Sequence, residues 1–149
     1  MPEFPIIQVL HWSQAEARAR RVRDAVFIVE QKVPVELEWD EWDARCDHAL
    51  ALDSGLIPVG TARLLPDGHL GRMAVLAEWR GRGVGRALAQ ALLDRARQRG
   101  MRRIVLHAQT SAAAFYRKLG FAEFGAEFEE AGIAHIAMSL ALKQLRSDG

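Results

Sequence analysis

The segment Arg80-Gly81-Arg82-Gly83-Val84-Gly85-Arg86 constrains the fold of this chain more than any other. It follows a strand-like stretch, Leu70 to Val75. It opens onto Val84, Ala87, Leu88, Ala91, Leu92 and Ala96, spaced for one face of a helix from about Gly83 to Arg99, with Gly100 placed to end it. Glycines let a backbone approach a ligand closely, and the unsatisfied N–H groups of a helix start, reinforced by its dipole, favour a phosphate or pyrophosphate. A dinucleotide fingerprint needs a further glycine where Arg86 stands and an acid about 20 residues on, where Met101, Arg102 and Arg103 stand. A nucleotide-triphosphate loop needs Gly-Lys-Ser/Thr, which is absent. The plain alternative is a turn that binds nothing, and glycines alternating with arginines argue against it.

The net charge of +1 hides an asymmetry. Glu30, Glu36, Glu38, Asp40, Glu41, Asp43, Asp47 and Asp53 face only Lys32 and Arg45, a local sum of −6. From Arg63 to Arg103, ten arginines face Asp67, Glu78 and Asp94, a sum of +7. One segment suits a cation and the other an anion. The basic segment carries no interleaved aromatic platform and no nucleic-acid-binding motif, so no nucleic-acid partner is expected. At 149 residues and 50% hydrophobic, the chain reads as one domain, 1–149, able to bury one core. No apolar run approaches the roughly 18 residues of a membrane span, and Met1 to Gln8 lacks a leader pattern. A cytoplasmic protein with no membrane partner is expected. The one cysteine, Cys46, makes no internal disulfide, and no Cys/His spacing suits zinc, so no metal is expected.

Along the chain, Ile6 to Leu10 reads as a strand. Ser13 is placed to cap a helix to about Glu30 with Ala17, Val22, Ala25, Val26 and Val29 on its apolar face, and Pro34 ends what helix remains. Glu36 to Asp43 is a loop or short helix. His48 to Asp53, Pro58 to Leu65 and Leu70 to Val75 read as three antiparallel strands, turning at Ser54-Gly55 and Pro66-Asp67-Gly68. After the long helix come a strand (Arg103 to His107), a helix started by Ser111 and ended by Gly120, and strands at about Phe121 to Phe128 and Ile133 to Leu142. The order β-α-(α)-β-β-β-α-β-α-β-β describes an α/β (α+β) fold with a mixed sheet, in which Leu70 to His107 forms a right-handed parallel crossover.

Arg80-x-x-Gly83-x-Gly85 at a helix start, after Leu70-Gly71-Arg72-Met73-Ala74-Val75, resembles the acyl-CoA pyrophosphate loop of the GNAT superfamily of N-acetyltransferases. Gln109-Thr-Ser-Ala112-Ala-Ala-Phe115-Tyr116-Arg-Lys-Leu119-Gly120-Phe121 is similar to that superfamily's later motif, with glutamine where many members carry asparagine. Val26 to Pro34 and Glu38 to Asp43 resemble a subgroup of small bacterial members whose substrates are mostly unassigned. The resemblance implies acetyl-CoA as co-substrate. Arg80, Gly81, Arg82, Gly83, Val84, Gly85 and Arg86 would hold the pyrophosphate. Met73, Ala74 and Val75, opened by a bulge, would pair with pantetheine. Gln109, Phe115 and Tyr116 would complete the cofactor contacts, with an N–H near Val75 as oxyanion donor and Tyr116 as acid to the departing thiolate.

An alkylammonium acceptor must lose a proton to become nucleophilic. Glu30 and His135 are the two candidate bases, each acting directly or through water. Trp39 and Asp40, with Trp42 and Asp43, form an acidic-aromatic cluster able to hold an ammonium, or else pin a loop to the core. Arg63 faces either solvent or an anionic part of the substrate. Arg18, Arg20, Arg21, Arg23, Arg95, Arg97 and Arg99 read as solvated helix faces, and His11, His48, His69 and His107 have no partner visible in the sequence. The reading is direct acetyl transfer to a primary amine of a small molecule or peptide, in a ternary complex and with no acyl-cysteine at Cys46. The rivals are a CoA-binding sensor or partner module without turnover, and an RNA-binding protein using the arginine-rich face. Homodimer formation is an expectation of the resemblance alone.

Overall fold

In a computed structural model that describes residues 4–143, every residue of β2 and β3 is buried. Residues 1–3, part of the stretch read for a leader, and 144–149, the end of the expected domain, lie outside the described residues. The chain runs β1 (Ile6–His11), α1 (Trp12–Arg23), a π-helical stretch (Asp24–Glu30), α2 (Val35–Glu38), a 3-10 turn (Glu41–Arg45), β2 (Asp47–Leu52), β3 (Pro58–Leu64) and β4 (Leu70–Val75). A 3-10 turn (Ala77–Trp79) then leads to α3 (Val84–Gln98), β5 (Arg103–Gln109), a 3-10 turn (Thr110–Ala112), α4 (Ala113–Lys118), β6 (Ala122–Glu130) and β7 (Ile133–Ala141).

The total burial of β2 follows from its alternating side chains. Ala49 and Ala51 join the core built with Val84, Leu88 and Leu92 of α3, while Leu50 and Leu52 pack with Ala15 and Ala19 of α1. Helices therefore cover both faces of the central strands.

Several boundaries differ from the sequence expectation. The α1 N-cap is His11 with no side-chain cap, so Ser13 lies inside the first turn. The buried face of the first helical stretch is Ala15, Ala19, Val22, Val26 and Phe27, while Ala17 and Val29 are exposed. Widening into a π-helix after Arg23 rotates the later residues off the α-helical face. Pro34 does not end that helix. It precedes α2, because the chain has already reversed at Lys32, whose φ is +59°. Ser111 falls within a 3-10 turn, and α4 begins two residues later.

The strands form two antiparallel sheets, β1-β2-β3-β4 and β5-β7-β6. The expected parallel crossover is reduced to one bridge, His69 to Val105, where Val105 N–H donates to Gly68 O at 3.0 Å. Gly68, at φ +95°, is fixed there: a Cβ would stand 2.8 Å from Arg103 O. Beyond that pivot β4 and β5 diverge.

Candidate active site

The divergence opens a cleft of about 750 Å³, lined by β4 on one wall and β5 on the other, with the start of α3 across one end. Two devices shape the β4 wall. Its register against β3 shifts between Thr61 and Arg63, so Arg72 and Met73 together oppose Ala62, and Arg72 takes φ +46°. A bulge of this kind bends a strand out of its ladder. Further on, Leu76 N–H donates to Val59 O at 2.9 Å. Since successive N–H groups alternate between the two edges of a strand, Val75 N–H points the other way, to the edge that β5 has left. Arg80 Nε donates to Val75 O at 2.9 Å on the same side.

At the start of α3, Gly81 and Gly83 have φ of +74° and +85°, a region that favours glycine. The first intrahelical bond is Ala87 N–H to Gly83 O, and no side chain caps the helix. The amides of Val84, Gly85 and Arg86 therefore have no intrahelical acceptor. Gly85 serves packing: a Cβ would stand 3.3 Å from the Phe115 ring. Arg86 lines the cleft and Arg82 lies over Trp79, and among the described residues neither pairs with an acid. Exposed donors, positive charge and a close-approach backbone fit a pyrophosphate.

Tyr116 lines the cleft, its Oη 3.6 Å from Met73 Sδ and its ring edge-on to Phe115 and Phe121. Burial pushes its phenol up to about 12, so it keeps its proton at neutral pH. Gln109 also lines the cleft, and its Nε2 donates to Gln31 Oε1 at 2.9 Å across the opening. Glu30 is turned to Arg80, whose two terminal nitrogens donate to its carboxylate at 2.6 and 2.7 Å. The Arg80 hydrogen bonds hold that carboxyl below the usual carboxylate range.

His135 is 7% exposed and lines the other end of the cleft. Its Nδ1 is 2.7 Å from Ile133 O. A carbonyl only accepts, so Nδ1 carries the hydrogen and the neutral ring has its lone pair on Nε2. Around it stand His107 and His69, which the sequence left without partners. His107 Nδ1 is 3.2 Å from Glu130 Oε1, and His69 Nδ1 is 2.9 Å from Asp67 Oδ1. Glu130, missed in the sequence, reaches the cleft because it pairs with Ile133, which shares a sheet face with His135 two residues on.

The acidic segment is not brought to the cleft as a cation site. Trp39 stacks under Arg20 and Arg23, 4.5 and 4.7 Å from its ring centre, and Asp40 accepts from both Arg63 terminal nitrogens at 2.7 and 2.8 Å. Neither residue lines the cleft; Arg63 does, with its charge spent on Asp40 and Asp43. Arg23, expected in solvent, is 1% exposed and donates to Glu38 Oε2, Glu38 O and Asp43 Oδ1 at 2.7 to 2.9 Å. Arg95 and Arg99 pair with Asp47. His48 Nε2 lies 2.8 Å from Asp43 O, beside the Trp12 ring. One signal for Arg23 was available: it stands four and eight residues after Ala19 and Ala15, on the buried face. Cys46 gives its thiol hydrogen to Trp42 O, and burial pushes the thiol up to about 12.

A family model described as an acetyltransferase (GNAT) domain matches residues 14–142. A Bacillus subtilis (strain 168) protein named as the uncharacterized N-acetyltransferase YjcF is 40% identical over 121 residues, covering 78% of this chain and 86% of its own. The crystal structure of Escherichia coli ElaA superposes with a TM-score of 0.81 at 29% identity, over 90% of this chain and 98% of that one. An acyl-CoA N-acyltransferase from Pseudomonas aeruginosa gives 0.80 at 27% identity, over 91% and 98%. With its splayed strands, its uncapped glycine-arginine helix start and a family match across most of its length, this chain belongs to the GNAT acetyltransferase family and is an acyl-CoA-dependent N-acyltransferase.

Proposed function

We propose that the chain, as one catalytic domain in the cytoplasm, transfers an acetyl group from acetyl-CoA to a primary amine by direct attack, with the amine and the thioester bound together. The observation that carries this reading is the arrangement along one cleft: open amides at the start of α3, the Val75 N–H, the half-buried phenol of Tyr116, and the Nε2 lone pair of His135. Bound acyl-CoA supplies an activated carbonyl and a sulfur leaving group. The amides of Val84, Gly85 and Arg86, with Arg82 and Arg86, hold its pyrophosphate. Val75 N–H steadies negative charge developing on the carbonyl oxygen, a contribution typical of oxyanion donors. Tyr116 gives its proton to the departing sulfur.

His135 takes the proton from the acceptor ammonium. Of the two expected bases it is favoured because its Nε2 is free, while both oxygens of Glu30 are engaged by Arg80. Glu30 is then a brace on the loop rather than the base. The acceptor is a small-molecule or peptide amine, and its selection does not rest on the Trp39 and Asp40 cluster.

The test is thiol release from acetyl-CoA with a panel of primary amines: a polyamine, an arylalkylamine, an amino sugar and a lysine peptide. Tyr116→Phe is expected to lower kcat by about 100-fold with KM for acetyl-CoA held, the scale of a lost general acid. An unchanged kcat removes Tyr116 from that role. A chain that binds acetyl-CoA and turns over no amine favours the sensor reading.

A further inference from the structure

An ammonium that becomes an amide loses two protons. One ends on the sulfur leaving group by way of Tyr116, which is reprotonated in turn, and the other must reach solvent: R–NH3+ plus thioester gives amide, thiol and one proton. The base proposed above is nine-tenths buried, so this proton needs an exit. We infer that Glu130 forms that exit, a relay from His135 Nε2 to the Glu130 carboxylate and on to solvent, with His107 Nδ1–H donating to the other carboxylate oxygen and holding it in place. The inference rests on the base assignment of His135 made above.

The geometry is that of one carboxylate shared by two rings. Glu130 Oε2 is 3.6 Å from His135 Nε2, and Glu130 Oε1 is 3.2 Å from His107 Nδ1. At 3.6 Å the first pair is beyond hydrogen bonding. That is what a neutral ring demands, because the Ile133 carbonyl keeps the hydrogen on Nδ1 and leaves Nε2 with no hydrogen to donate. Once Nε2 takes a proton from the acceptor, ring and carboxylate become a charged donor and acceptor, and a small approach closes the bond. Exposure rises outward along the path: the side chain of His135 is 9% exposed and that of Glu130 48%, so solvent meets the carboxylate directly.

The fold gives the three groups little freedom to part. His107 and His135 sit on adjacent strands, where Ala108 pairs with Ile136 and Gln109 with His135. Glu130 opposes Ile133 at the β6–β7 hairpin. Phe128 stacks on His135 with ring centres 5.9 Å apart and meets His107 edge-on at 5.0 Å, filling the space between the two rings. The other charged and titratable side chains that line this cleft are His69, Arg63, Arg72, Arg80, Arg86 and Tyr116. Among the described residues Glu130 is the only carboxylate of that lining, and so the acceptor best placed for a proton leaving His135.

The experiment uses the full chain with acetyl-CoA and the amine of the panel that gives the fastest thiol release. Glu130→Gln is expected to lower kcat about tenfold or more, with KM for both substrates held, and His107→Ala, which only loosens the carboxylate, to lose less. Added imidazole, a diffusible proton carrier, restores most of the Glu130→Gln rate. A structural defect gives no such rescue. His135→Gln is expected to lose more, as the base itself. If Glu130→Gln keeps wild-type kcat, or loses it without rescue, while His135→Gln is inactive, the relay is wrong and the base assignment stands. If His135→Gln keeps the wild-type rate, or no amine is turned over, the base assignment fails and the relay with it.

Discussion

The acidic segment around Glu38 to Asp47 and the basic join Arg80 to Arg86 look like mirror images in the sequence, and the fold treats them oppositely. Glu38 and Asp43 are bound by Arg23, Asp40 and Asp43 by Arg63, and Asp47 by Arg95 and Arg99, so four acids become internal structure. At the basic join, Arg82 and Arg86 have no acid partner among the described residues, and the first amides of α3 have no acceptor. Arg80 is the exception, tied to Glu30. Charge in a sequence is thus a supply of ions, and what matters for a ligand is which of them the fold leaves unpaired.

The largest expected effect breaks the quenched side. Arg23→Ala strands the buried Glu38 carboxylate and leaves Asp43 with Arg63 alone, and breaking a buried ion pair costs about 3–5 kcal/mol. At roughly 2–4 °C per kcal/mol for a domain of this size, the melting temperature falls by about 10 °C. A loss no greater than that of a surface arginine would show that the segment is not internally held. On the open side, Gly83→Asp places a carboxylate at the uncapped helix start. Acetyl-CoA affinity is expected to fall at least about 100-fold, close to 2.7 kcal/mol. The left-handed φ costs stability only about 1–2 kcal/mol, so the variant folds and calorimetric titration reads the loss directly.

The smallest effect concerns pH. Arg63 holds the Asp40 carboxyl below the ordinary aspartate value of 3.8, so its contribution is present above that value and is lost as pH falls through its folded value. The stability gap between wild type and Asp40→Asn should therefore close as pH drops below about 4. Glu38 runs the other way. Burial raises its carboxyl above the ordinary 4.5, so its contribution is present below that value and lost as pH rises through the folded one. Denaturant melts of Asp40→Asn and Glu38→Gln across acidic pH separate the two signs.

How much of this was legible in the sequence depends on the range of the interaction. The extent of α3, the Gly83 start and the strand order follow from local periodicity and glycine placement and hold within one or two residues, while the buried face of α3 takes Ala89 and Leu93 where Ala87 and Ala91 were expected. The π-helical stretch was not legible, because an extra residue per turn leaves the same apolar pattern slightly rotated. Arg23 was read as solvated although it sits on the buried face, since its partners Glu38 and Asp43 are 15 and 20 residues away. Glu130 was missed because its pairing with Ile133 across the β6–β7 hairpin, not its own neighbours, places it on the face of His135. His107 and His135 were both visible as histidines, and only the β5–β7 pairing puts them on adjacent strands.

The most direct test of the central claim, that the open helix start of α3 is an acyl-CoA site, is a thermal unfolding series with and without acetyl-CoA. At about 100 times its Kd a ligand adds roughly 2.7 kcal/mol to the folded state, a rise of several degrees here. That rise, absent in Gly83→Asp, is the expected result; an unmoved melting temperature of the wild-type chain at millimolar acetyl-CoA would contradict the account.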